Sequence, residues 1–122
     1  MDEIRVRAAR GAIRVQRDDA EVVLSGTARL LDSMLERNGI ERTDLVSAFF
    51  TATDDLRAAF PAEAARRMGL GRLPLLCAQE IPVAGAMPQV VRILLLFHTR
   101  LGPDEVAHVY LDGAESLRDD LG

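Results

Sequence analysis

The chain has 122 residues, close to half of them hydrophobic, with a formal charge of −4 and a pI near 5.1. That acidic balance argues against nucleic acid or an anionic membrane surface as the main partner. No apolar run approaches the roughly 18–20 residues of a membrane span, and one cysteine cannot close an internal disulfide, so the expectation is a single domain over residues 1–122 in a reducing cytoplasm.

The start, MDEIRVRAAR, is charged and lacks the apolar segment of a signal peptide. Ile4–Arg10 alternates apolar or small with charged residues, the period of a strand with one wet face. Gly11 is then expected to let the chain turn. Asp18 and Asp19 precede a long helical pattern carried by Val22, Val23, Leu30, Leu31, Met34 and Leu35, and Asn38-Gly39 stops it. Leu45–Thr53 reads as a buried strand that ends in a polar turn at Asp54-Asp55. Pro61 suits the first turn of a short helix, AEAARRM, ended by Gly69. LPLLCAQEI and Val91–Thr99 are the next strands. Gly102-Pro103-Asp104 is a turn with room for one turn of helix after it, and His108–Ala114 is a last short strand.

The count is an α+β chain with a mixed sheet of about five strands, one long helix and one short one. Two helices cannot cover both faces of such a sheet. The strands LVSAFF and RILLLF are apolar on both faces, so another copy of the chain is the simplest cover for the second.

No phosphate loop and no dinucleotide fingerprint is present. His98 and His108 lie ten residues apart, with no cysteine or carboxylate at metal-ligand spacing. Both are expected to pair with backbone or solvent. Cys77 has no histidine near it in sequence and suits a small apolar filler. All fifteen basic residues are arginines. Arg10 ends the first strand, Glu80 ends the third, Arg92 opens the fourth on the face of Leu94 and Leu96, Tyr110 lies in the last, and Arg118 follows. Each alone fits an edge-strand charge, a snorkelling arginine or a buried tyrosine. Together, arginines and a tyrosine hydroxyl at strand ends, with one carboxylate and no general base, suit a small polyanion and not hydrolysis.

Six stretches run in order along the chain: Arg10-Gly11-Ala12, Ala58–Arg66, Cys77–Glu80, the Arg92 strand, His108–Leu111 and the closing LRDDL. In this they resemble the monofunctional trimeric chorismate mutases of the AroH class. The resemblance implies a homotrimer with a pseudo-α/β-barrel look and active sites between neighbouring subunits. It implies the pericyclic rearrangement of chorismate to prephenate, without cofactor or metal. It assigns Arg92 to the ether oxygen, Arg10 and Tyr110 to the carboxylates, and Glu80 and Cys77 to the hydroxyl and ring side. Phe60, Ala62, Leu75 and Leu117 would line the pocket, Arg66 and Arg118 would stand at its mouth, and the tail from about Leu117 would close over the ligand. Against that family pattern, Glu63 replaces a lysine, Leu76 a hydroxyl residue and Asp119 a proline, and the Arg66–Cys77 segment is one residue shorter than in some relatives.

Simple alternation puts Cys77 and Glu80 on opposite faces of their strand, so placing both in one site requires a bulge or twist before Pro82. Two other readings stand beside this one. A Rid-type imine hydrolase has a similar architecture, but its glycine-rich C-terminal signature is missing. A non-catalytic trimeric regulator that binds an aromatic-pathway metabolite is the other.

Overall fold

The computed structural model describes residues 3–121, with side chains described through Arg118. Five strands and two α-helices follow in the order β1 (Arg5–Arg14), α1 (Ala20–Arg37), β2 (Leu45–Ala52), α2 (Ala62–Arg67), β3 (Leu75–Gln79), β4 (Val90–Thr99) and β5 (Val109–Leu111). Short 3-10 helices at Arg42–Asp44 and Glu115–Leu121 were not foreseen. The strands form one mixed sheet in the order β3-β2-β4-β1-β5. β4 runs antiparallel to both β1 and β2, while the edge strands β3 and β5 lie parallel to β2 and β1.

α1 starts where the acidic pair places it. The Asp19 carboxylate accepts the backbone N–H groups of Glu21 and Val22 at 3.0 and 3.2 Å, satisfying two donors that a helix N-terminus leaves open. It stops at Asn38, and Gly39 takes the positive φ of 60° that suits glycine. The buried Asn38 amide donates to Met34 O and Ala107 O and accepts from Ala107 N at 2.7 Å. One side chain thereby closes α1 and anchors the approach to β5.

Gly11 does not turn the chain. β1 runs straight through it to Arg14. The glycine is there because α1 packs closely: a Cβ at this position would meet Met34 Sδ at 2.5 Å and Leu30 Cδ1 at 3.1 Å. That requirement comes from a residue more than twenty positions away, so strand periodicity could not show it. β5 is shorter than expected. It ends at Leu111 because Asp112 and Gly113 turn the backbone with φ of 52° and 97°. The segment after Gly102 is a plain turn without helix.

Both helices pack on one face of the sheet. Ile13, Phe50, Ile93, Leu95 and Phe97 point into that layer and are buried with Leu30 of α1 and Ala65 of α2. The alternate residues of the same strands point the other way, where only the end near Ala12, Val90 and Tyr110 is covered, by Ala114, Leu117 and Met87. Val6, Phe49, Leu94 and Leu76 are 49, 40, 38 and 59 % exposed on that second face. The apolar character read on both faces of β2 and β4 is thus real, and one chain uses half of it. Despite the apolar start of LPLLCAQEI, β3 is a sheet edge with Leu76 and Ala78 exposed.

Candidate active site

Strand register brings the candidate residues together. Arg92 on β4 lies between Ala12 of β1 and Thr51 of β2, and Ala12 in turn pairs with Tyr110 of β5. Laterally paired residues share a face, so Tyr110, Ala12, Arg92 and Thr51 form one row on the face away from the helices, its Tyr110–Ala12 end buried. Arg10 belongs to the next row on the same face, beside Leu94 and Phe49. Tyr110, Arg92, Thr51, Arg10, Leu94, Phe49 and Glu80 line a hollow of about 330 Å³.

Glu80 reaches the hollow from just beyond β3. Its N–H donates to Ala52 O at 2.9 Å and carries the parallel ladder one residue past the strand. The Thr51 hydroxyl donates to Glu80 Oε2, and Glu80 Oε1 lies 3.7 Å from Arg92 Nε. That Nε is buried and has no hydrogen-bond acceptor. Thr51 was not singled out by sequence reading. The signal that marks it is its position opposite Arg92, which depends on register and on the irregularity between Leu45 and Ser47.

His108 braces Arg10. Its Nδ1 accepts the Arg10 backbone N–H at 2.9 Å, which extends the β1–β5 pairing by a side chain where β5 has not yet begun. This matches the expectation that the histidine pairs with backbone. Burial first, then the charges of Arg10 and Arg118, hold its pKa below the ordinary value of 6.5. The unfolded chain therefore binds a proton at pH values where the folded chain does not, and stability rises with pH across that interval. The contribution is complete above about 6.5 and is lost as pH falls from there toward the depressed folded value. We expect a lower denaturation midpoint at pH 5.5 than at pH 7.5. The gap should narrow in His108→Asn, whose amide oxygen can accept the same N–H without titrating. An equal gap in both proteins would place the dependence elsewhere.

Tyr110 is buried with Ala12, Val90 and Ala114, and Leu117 packs against that group. Arg118 is exposed and close enough to influence His108. The side chain of Asp119 lies outside the described residues.

The remaining expected residues are elsewhere. Cys77 is on the helix-covered face, as alternation from Glu80 requires, and no bulge in β3 turns it. Its Sγ accepts the Ala62 N–H at 3.4 Å. Cys77 and Phe60 line a second hollow of about 400 Å³ beneath residues 57–61. Phe60 is 74 % exposed there. Two backbone N–H groups of this loop, from Arg57 and Ala58, bind one oxygen of Asp18 at 2.9 Å each. Ala62 is buried, Leu75 packs against the core, and neither lines these two hollows. Arg66 is exposed and forms an ion pair with Glu63 at 3.1 Å. Leu76 points outward, away from Cys77.

The first hollow thus presents two arginines, a tyrosine and one hydrogen-bonded carboxylate, a set that can hold a compact dianion and place a cation against one of its oxygens. Among the described residues no cluster of histidine, cysteine and carboxylate groups could hold a metal ion, and no helix is long and apolar enough to cross a membrane.

Comparison with known proteins agrees with this geometry. The family model for chorismate mutase type I matches residues 6–121. The chain is 50 % identical over 117 residues to a chorismate mutase AroH from Thermus thermophilus, covering 95 % of this chain and 96 % of that one. It is 38 % identical to the corresponding protein of Bacillus subtilis (strain 168), over 95 % of this chain and 92 % of the other. A solved chorismate mutase from Clostridium thermocellum superimposes with a TM-score of 0.89 at 41 % identity, covering 90 % of this chain and 98 % of that chain. These matches set aside the imine-hydrolase reading. By its sequence, its fold and its family model, the chain belongs to the type I chorismate mutases, isomerases of aromatic amino acid biosynthesis.

Proposed function

We propose that the hollow around Arg92 rearranges chorismate to prephenate by shape and charge alone. The observation that carries this reading is the convergence of Arg10, Tyr110, Glu80 and Arg92, with a buried Arg92 N–H still unspent. Chorismate is a flexible dianion. Holding both carboxylates selects the compact conformer in which the carbon ends meet, which removes an entropic part of the barrier. Arg10 and Tyr110 take this role. As the C–O bond lengthens, negative charge gathers on the ether oxygen. Arg92 faces that oxygen and stabilises the transition state more than the ground state. Glu80 accepts from the ring hydroxyl.

We further infer that the working unit is a trimer. The second hollow, with Phe60 and Cys77, is separate from the first within one chain, and the uncovered apolar face offers a surface through which a neighbour can join the two. Phe60, Ala62, Leu75, Cys77 and Arg66 then belong to the neighbour's side of each site, and Leu117 and Arg118 close it from the Arg10 side. The free thiol of Cys77 suits a reducing cytoplasm.

The test is loss of chorismate ultraviolet absorbance with the purified chain, in buffer without added metal or cofactor. Rapid loss with prephenate as product is expected. A folded protein that leaves chorismate unchanged would overturn the reading.

A further inference from the structure

Glu80 and Arg92 face each other but do not form a full ion pair. A charge-assisted N–H···O bond closes to about 2.7–2.9 Å, whereas Arg92 Nε and Glu80 Oε1 stand 3.7 Å apart. Both side chains are partly shielded, at 38 and 30 % exposure, so their attraction is not fully screened away. Something holds them apart. Thr51 is the group positioned to do so. It sits directly across from Arg92 in the β2–β4 register, and its hydroxyl donates to the other carboxylate oxygen, Oε2. The Glu80 backbone is tied to the same strand through Ala52 O. Residue 80 is thus fixed to β2 at two points, one backbone and one side chain. The buried Arg92 Nε–H is left without an acceptor, although an orphan buried donor ordinarily costs about 1–3 kcal/mol.

We infer that Thr51 is a positioning residue whose hydroxyl restrains Glu80 and so keeps the Arg92 N–H free for the reacting oxygen. This rests on the role of Arg92 given above. Without the hydroxyl, both carboxylate oxygens are free to turn toward the guanidinium. The pair closes, the Nε–H is occupied before substrate arrives, and the transition state must compete with a formed ion pair. The loss falls on kcat, because the competing contact opposes charge that develops during reaction and not the carboxylates that bind the ground state.

The experiment compares wild type with Thr51→Val, Thr51→Ala and Thr51→Ser in steady-state chorismate kinetics, with circular dichroism and thermal melts as folding controls. Valine keeps the branched shape and removes the donor. Alanine carries the same expectation should the valine variant misfold. Both should lose about tenfold in kcat, the scale of one hydrogen bond, with KM within about threefold of wild type. Serine keeps the hydroxyl and should recover most of kcat. Wild-type kcat in the valine or alanine variant overturns the inference. So does a serine variant as slow as valine, or a loss confined to KM. Absence of turnover in wild type is a different result, which removes the reading of the site and the inference with it.

Discussion

Arg92→Ala should lower kcat by two to three orders of magnitude or more, while the variant folds with a thermal midpoint close to wild type. The two halves of this expectation have separate origins. Arg92 points to the uncovered face and contributes little to the buried layer, where its neighbours Val91 and Ile93 do the packing. Its Nε forms no hydrogen bond that the folded chain would lose. The guanidinium is instead placed where charge develops, and removal of one such donor costs about 2.7–4 kcal/mol in other enzymes. Arg92→Lys should recover only part of the loss, since a point charge on a flexible stem does not reproduce the fixed fork. Stopped assays of chorismate consumption measure the effect. Near-normal turnover in Arg92→Ala would sink the electrostatic mechanism.

Val6→Glu should abolish both the oligomer and the activity. Val6 lies on the uncovered face, 49 % exposed in the single chain. It is four residues along β1 from Arg10, about 13 Å at the rise of a strand, and it lines neither hollow. A carboxylate here is harmless to an isolated chain but must be desolvated in a subunit interface, at a cost of several kcal/mol for each copy. Sedimentation should show wild type at three times the 13.4 kDa chain mass and the variant below that. Activity should follow the trimer, recovering in part at high protein concentration. A variant that stays trimeric would place the interface elsewhere, and an active monomer would show that one chain completes the site.

Most of the fold was legible because its elements declare themselves locally. Asp19 and Asn38-Gly39 bound α1 through capping chemistry that acts within a few residues. The runs LVSAFF and RILLLF are apolar on both faces, and from that alone a second, uncovered face followed. Arg92 was correctly placed with Leu94 and Leu96 because alternation along one strand needs no register. Alternation also put Cys77 and Glu80 on opposite faces, which the structure bears out. What stayed hidden depends on which strand lies beside which. Thr51 reads as an ordinary strand residue until it is set opposite Arg92. Gly11 reads as a turn until α1 is laid across it. Each of these facts is a contact between segments far apart in sequence, and hydropathy carries no record of such partners.

The pairing of β1 has a consequence for how the enzyme is made. The backbone partner of Arg10, His108, follows it by 98 residues, and β1 sits between β4 and β5, both of which come after every other element it could pair with. At about 5–20 residues per second on the ribosome, β1 waits on the order of 5–20 s for its neighbours. Contacts of such long sequence separation also form slowly. The catalytic hollow is therefore completed late: β1, with four arginines among its ten residues, gains its β4 ladder only after Val90–Thr99 has emerged and its His108 contact later still.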